Sequence, residues 1–459
     1  MTPLPHRMPG AMFDAVAAGS GGAPALRLLA RSEHSRRLAG AYAVTAAARA
    51  AGGTVAEEAE NAWRLFTAAA RATPGEAAAV LTHPSAGPAL VGLLARLTQR
   101  EPQEPPPVRW FTALAAAAAV RAGLPVRVEW PVDGPSVALP SLGRARFPGA
   151  VPGDRAEVCV EAAGRARITV PGASPADGPV TVPGQPYHSE GRWQGAHLLT
   201  DLDDDAPLLL DVLDQPCFPK ASRYREGLGA DEVSRWTAVA REACRLLRAD
   251  HEDQYAELAA GPRLLVPLSR PGRGNVSGSS AETFGCMALS LPKSATGFAV
   301  TMAHEIQHNK FAAVLHLFDL FEPGGRERFY APWRRDPRPL LGLFHGAYAH
   351  LGVARFWARR RETEPDPRLR DAAQVQFARW RLGAREATHV VLASGRLTPL
   401  GRRFAERMLN SLDALCRLPV PATAVHRAES TARAHRAAWR DRNGRVMGAG
   451  EAELQPLRR

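Results

Sequence analysis

Cysteine is scarce in this chain and carries no pattern. The five cysteines, Cys159, Cys217, Cys244, Cys286 and Cys416, are odd in number and include no C-x-x-C. That excludes a disulfide framework and a thiolate metal site, and suits a reducing compartment. Long apolar runs are missing too. No segment approaches the roughly 18 consecutive apolar residues that a bilayer span needs. The opening Met1-Thr2-Pro3-Leu4-Pro5-His6-Arg7 leads into no apolar core with a cleavage site. We therefore expect a cytoplasmic protein with no membrane partner. There is no internal repeat of fixed period, no nucleic-acid motif and no interleaving of aromatic with basic residues, so nucleic acid is not expected as a partner.

What is present is ordinary for a soluble globular protein: 459 residues, 45% hydrophobic and 23% charged. At about 150 residues per domain that length suggests roughly three domains. The net charge is +12, carried almost wholly by arginine, much of it after residue 325. Solvated helix faces explain most of it; an acidic peptide or anionic substrate is the functional alternative.

Hydrophobic periodicity divides the chain. Residues 25–50, 55–72, 86–97 and 108–122 place helix formers and apolar residues at three- and four-residue spacing. Gly52-Gly53, Pro74-Gly75 and the prolines of 102–107 punctuate them. Residues 1–123 are thus a helical N-terminal region, a scaffold or partner-binding part with little clustered His, Asp or Glu. Residues 124–225 read as a small β-rich insertion, with alternation at 126–130, 157–160 and 166–170. Its acidic run, 201–205, lacks the glycine and downstream glutamate of an EF-hand loop and is expected to be a solvated turn.

Residues 226–459 form the expected metal-binding core and C-terminal helices. Helix is expected over 231–260, 339–361, 367–394, 399–415 and 422–440. Two strands, 263–268 and 285–291, are expected to form a hairpin-like unit just before the central motif, the strand-then-helix order of zinc peptidases. The fold class is therefore α+β and mostly α-helical: helical N- and C-terminal regions, a β-rich insertion and a zincin-like strand/helix core.

The central motif is His304-Glu305-Ile306-Gln307-His308, inside an apolar run free of proline. Residues four apart share a helix face, so His304 and His308 can point at one metal ion. Glu305 is turned by roughly 100° from His304 and flanks that ion without being forced to bind it. Two imidazoles leave a metal under-coordinated. The metzincin position for a third ligand falls on Val314. Glu322, Glu327, Glu362 and Glu364 lack the helical setting of a gluzincin ligand.

His345, in Leu341-Gly342-Leu343-Phe344-His345-Gly346-Ala347-Tyr348-Ala349-His350, is the better candidate; a histidine among Leu, Phe and small residues needs a partner. His350 lies off the His345 face, and His316 is about 12 Å along the helix from His308. Such a triad suits zinc hydrolysis and non-haem Fe(II) chemistry alike. Between the motif and His345 runs Tyr330-Ala331-Pro332-Trp333-Arg334-Arg335-Asp336-Pro337-Arg338-Pro339, a stiff loop with three arginines. Either they pair with Asp336 at the surface or one grips a carboxylate.

From Ser277 to Trp357 the chain resembles the H-E-x-x-H domain of bacterial peptide-modification gene clusters, a family of 2-oxoglutarate-dependent peptide β-hydroxylases. The resemblance rests on Ser279-Ser280 with Phe284-Gly285 and Ala288-Leu289-Ser290, on the motif itself, and on the block from Tyr330 through Gly342-Leu343-Phe344-His345-Gly346-Ala347-Tyr348-Ala349-His350 to Phe356-Trp357. Phe13-Asp14-Ala15-Val16 resembles the family's opening. Cys286 and Met287 depart from it.

The resemblance implies Fe(II), 2-oxoglutarate and O₂ as reactants. It implies hydroxylation of a side-chain β-carbon in a ribosomally synthesised precursor peptide. It makes His304, His308 and His345 the iron ligands, with Glu305 supporting water or an imidazole instead of serving as a peptidase base. Arg334 or Arg338 is our candidate anchor for the cosubstrate. The alternatives are a zinc metallopeptidase with Glu305 as general base, holding Zn(II), and a non-catalytic peptide-binding partner. The N-terminal helices could hold a leader segment of the precursor peptide.

Overall fold

The computed structural model describes residues 6–99, 108–162, 164–173, 178–185, 187–203, 206–211, 227–270 and 274–444. Cys217, Asp204, Asp205, the prolines of 102–107 and Pro271-Gly272-Arg273 lie outside them. Among the described residues 60% are helical and 14% in strands, a mostly helical α+β fold as expected. No single described helix is long and apolar enough to cross a membrane.

Along the chain come helices α1 (Gly10–Ala17), α2 (Gly22–Ala51), α3 (Gly53–Ala72), α4 (Pro74–Thr82), α5 (Ala86–Leu97) and α6 (Arg109–Ala122). The expectation treated Pro74-Gly75 only as a break. The structure starts α4 there, because a proline at the first helical position gives up no intrahelical hydrogen bond. Short strands follow: β1 (Val126–Pro131), β2 (Ser136–Leu139), β3 (Gly143–Arg146), β4 (Arg155–Val160), β5 (Ala166–Thr169), β6 (Val180–Val182), β7 (Trp193–Gln194), β8 (His197–Asp201) and β9 (Pro207–Leu210). Then come α7 (Ala230–Asp250) and α8 (Glu252–Ala260), expected as one helix and divided at His251, whose φ of −135° is not helical.

Strands β10 (Leu264–Pro267), β11 (Ser277–Gly278) and β12 (Cys286–Leu289) precede α9 (Ala295–Leu317). The expected hairpin is corrected here: β10 and β12 run parallel, and it is β11 that pairs antiparallel with β12. The connection between them exceeds the dozen or so residues that a parallel return requires. The remaining elements are β13 (Arg328–Phe329), β14 (Arg338–Pro339), α10 (Leu340–Thr363), α11 (Pro367–Ala393), α12 (Pro399–Arg417) and α13 (Ala422–Asn443). Asp366 and Thr398 cap α11 and α12 through side-chain oxygens, each followed by a proline at the first helical position.

The chain forms two compact units. One contains Ala30–Arg241 and Pro262–Leu291. Its alanine-rich helices α3–α6 and the strands β1–β7 share one hydrophobic core, centred on residues such as Phe66, Phe111, Leu114, Phe147, Ile168 and Trp193. The sheet order β1-β4-β5-β6 is antiparallel throughout, and β11-β12-β10-β9-β8 forms a second, mixed sheet.

The other unit contains Met1–Leu29, Glu242–Gly261 and Pro292–Arg459. Helices α9–α13 belong to it, so the H-E-x-x-H helix and the strands before it fall in different units. Its aromatic core joins Phe13, Phe311, Phe344, Tyr348 and Phe404. The end of α1 and the turn after it are held from several sides. Tyr348 Oη donates to Val16 O (2.5 Å), Ser411 Oγ to Ala18 O (3.0 Å), and Lys310 Nζ to Ser20 O (2.7 Å). Lys310 also pairs with Glu257 at 2.7 Å, with both side chains buried.

Candidate metal centre

Helix α9 begins at Ser294, whose hydroxyl accepts the Gly297 amide, and continues for six turns without a proline. The four-residue spacing then does what the sequence predicts. His304 Nε2 and His308 Nε2 stand 3.0 Å apart, with ring planes at 83°. Glu305 is buried beside them, its Oε1 4.0 Å from His304 Nε2. Among the described residues, His304, Glu305 and His308 are the one His/Cys/Asp/Glu group whose ligand atoms all lie within 4.8 Å of one another.

Helix α10 brings two more imidazoles. It can approach α9 closely because Gly352 has no side chain; a Cβ there would meet Gln307 Cγ at 2.5 Å and Ala303 O at 3.0 Å. His345 Nδ1 lies 2.5 Å from His308 Nδ1. The ring centroids are 4.5 Å apart and the planes only 17° from parallel. Most of the centroid separation is therefore spanned nitrogen to nitrogen, and the rings meet edge to edge. His345 thus touches the side of His308 opposite the nitrogen that faces His304. That is where an outer partner orients a metal-bound imidazole.

His350, set aside from the sequence because it leaves the His345 face, packs against His304 instead, with centroids 4.9 Å apart at 80°. Its Nδ1 donates to Gly346 O at 2.8 Å. Its ring lies between Trp333 (4.3 Å) and Trp380 (4.6 Å). The signal for this cluster is Gly346: a Cβ there would sit 2.5 Å from the Trp333 indole. The glycine four residues before His350 is what admits the tryptophan.

Burial drives all four imidazoles toward the neutral form. His304 and His308 are held well below the ordinary histidine value by desolvation first and by neighbouring histidines second. His345 and His350 are both lowered to about 4, chiefly by burial; the Arg338 charge adds to the effect at His345. Neutral imidazoles have the lone pairs that a metal needs. Two nitrogens bound at about 2.1 Å in cis positions lie about 3.0–3.4 Å apart. The observed 3.0 Å between His304 and His308, with a carboxylate alongside, fits a divalent metal ion.

The arginine loop is closed by the β13–β14 ladder, Arg328 opposite Pro339 and Phe329 opposite Arg338. Asp336 sits between two guanidinium groups, 2.9 Å from Arg334 Nε and 3.3 Å from Arg338 Nη1. Arg334 is half exposed and engaged there. Arg338 lies over Gly342, its Nη2 3.0 Å from the position of a Cβ. Of these two, Arg338 is the arginine whose charge reaches His345, and a carboxylate already occupies part of its donor fork.

No protein-family model matches the chain, and no curated protein matches it.

Proposed function

We propose that the chain is a cytoplasmic metal-dependent enzyme that modifies peptides: an Fe(II)/2-oxoglutarate dioxygenase hydroxylating a side-chain β-carbon of a ribosomally synthesised precursor peptide. The observation that carries the reading is the pair of Nε2 atoms of His304 and His308 at 3.0 Å, with the His345 ring and the Arg338 charge beside them. The resemblance of the Tyr330–Trp357 block supplies the choice of chemistry. Iron, when bound, supplies the activation of O₂ that an unactivated C–H bond requires.

The chain's own residues do the rest. His304 and His308 would hold the ion as neutral ligands through Nε2, and His345, on the Nδ1 side of His308, would orient that imidazole instead of binding the ion as the resemblance implies. Glu305 fixes the ligand side of α9. Trp333 and Trp380 flank His350 and keep water from that side of His304. Arg338 offers a cation to the cosubstrate's far carboxylate by displacing Asp336; Arg334 is the second candidate for that role.

One observation favours a second reading. The Glu305 carboxylate lies within 4.8 Å of the ligand nitrogens of both motif histidines, where a zinc peptidase keeps its general base.

A single assay separates these readings from a non-catalytic peptide-binding partner. Purified protein is incubated with Fe(II), 2-oxoglutarate, O₂ and a candidate precursor peptide, and the peptide mass and succinate are followed. Gain of one oxygen atom with matching succinate, lost in His304→Ala, supports the hydroxylase. Backbone cleavage with Zn(II), lost in Glu305→Gln, replaces it with the peptidase. Binding with no mass change under either metal leaves only the partner.

A further inference from the structure

A cavity of about 360 Å³ opens beside α13, lined by Arg335, His435, Ala438, Trp439 and Arg442. None of these residues belongs to the metal centre. We infer that this cavity receives carboxylate side chains of an acidic peptide segment.

Three features of its wall carry the inference. First, the side chains of Arg335 and Arg442 make no hydrogen bond or ion pair with any described residue, in a molecule where most of the arginines around them are engaged. Arg436, one turn along α13, is paired with Glu386 and lies over the Tyr330 ring at 4.2 Å. Second, the Trp439 indole Nε1 is buried and has no acceptor among the described residues. A buried N–H without an acceptor is unfavourable, and an entering carboxylate oxygen would satisfy it. Third, the wall is fixed in advance. Asn443 Nδ2 donates both to Arg335 O and to Trp439 O, each at 2.9 Å, tying the loop to the end of α13. Tyr330 Oη bonds His435 Nδ1 at 2.9 Å, and the Trp439 ring edge packs on Tyr330 at 5.4 Å.

The chemistry favours carboxylates. Two guanidinium forks and one neutral N–H donor match the oxygens of an Asp or Glu side chain. His435 adds no charge of its own near neutrality. Burial and the charges of Arg379 and Arg335 hold it below the ordinary histidine range. Two separate guanidinium groups suit successive acidic residues better than a lone small anion.

The position also fits a peptide. The loop that contributes Arg335 to the cavity contributes Trp333 to the ring stack on His350. A segment anchored at Arg335 is therefore held two residues from the wall of the metal centre. From the proposed function this inference takes only that the substrate is a peptide. It is tested without metal or 2-oxoglutarate, so either statement can fail alone.

The experiment is equilibrium binding of a labelled hexaglutamate peptide to the full chain, with hexaglutamine as control. Hexaglutamate is expected to bind at least tenfold more tightly than hexaglutamine. Arg335→Gln/Arg442→Gln should weaken it by tenfold or more, Trp439→Phe by a few-fold, and Arg402→Gln, on α12, should leave it unchanged. Both cavity arginines are exposed, so the unfolding midpoint of the double variant should match the parent. Equal binding of the two peptides, or unaltered hexaglutamate binding in the double variant, would overturn the inference. So would equally effective competition by inorganic phosphate or by a thymidine oligonucleotide of the same charge, which would make the site a general anion trap.

Discussion

Helices α6 and α9 are both buried over most of their length, and they bury different things. The inner surface of α6 is Phe111, Thr112, Ala113, Leu114 and a run of alanines to Ala119. That of α9 includes Glu305, Gln307, Asn309 and Lys310 among its apolar residues. A helix packed through methyl groups can satisfy its neighbours with shape alone. A helix that buries charges and amides needs a named partner for each, since a buried polar group without one costs more than its hydrogen bond returns. On α9 Asn309 bonds back to Glu305 O, while the other partners are found far away in sequence: Glu257 and Ser20 O for Lys310, and Gly19 O for Gln307. Such a helix is fixed in rotation as well as position. That is what two histidines aimed at one point require.

The comparison predicts different failures for the two helices. The largest should come from Lys310→Met, which leaves Glu257 buried without its cation. We expect a loss of about 3–5 kcal/mol in chemical denaturation. The double variant Lys310→Met/Glu257→Leu should recover most of it, because two well-packed apolar residues replace two charges. If the double variant is as unstable as the single, the pair is not what fixes α9.

The next effect depends on pH. His251 is stacked on Phe356 at 4.3 Å, and burial lowers it from 6.5 to about 4. The unfolded chain therefore takes up a proton that the folded chain refuses. The stability this supplies is complete above pH 6.5 and is lost as the pH falls toward about 4, amounting to about 3 kcal/mol over that range. His251→Phe should flatten that part of the stability–pH curve relative to the parent, with other buried histidines contributing equally to both.

For α6 the weak point is volume. Ala116→Leu should cost about 1–3 kcal/mol by overpacking, with a lower thermal midpoint and no change in metal content. The smallest effect is expected at the start of α9. Ser294→Ala removes the side-chain acceptor for the Gly297 amide and should cost about 1 kcal/mol. Its counterpart on α6, Val108, supplies no side-chain cap. Substituting Val108 should therefore be felt as lost packing alone.

Much of this architecture is legible in the sequence, wherever the information is local. The 3.6-residue period places the helices seen as α2, α3, α5, α6 and α10–α13 within a few residues. The motif spacing put His304 and His308 on one face. Alternation marks β1, β4 and β5, whereas β6 and β7, of three and two residues, are too brief to show a period. What the sequence conceals is partnership. Residues 264–267 and 286–289 read as strands in any pairing, and only the path of the chain between them makes the pair parallel. Nothing in the spacing tells that His345 meets His308 through Nδ1, or that His350 reaches His304, because both depend on how closely Gly352 lets two helices cross. Arg335 and Arg442 are more than a hundred positions apart and share a wall only after folding.

The end of α1 and the turn after it bear on how the protein is made. Their carbonyl oxygens are received by side chains of α9, α10 and α12, all translated hundreds of residues later. The unit rich in alanine helices lies almost wholly before residue 292 and can acquire its core while the ribosome is still at work. At about 5–20 residues per second, the stretch from Pro292 to the end of α12 takes roughly 6–25 s to be made. Through that interval the first helix has no seat. The unit containing α1 and α9 is therefore completed only after α12 has been made, and a nascent chain stalled before α12 would expose the hydrophobic face of α1 to chaperones.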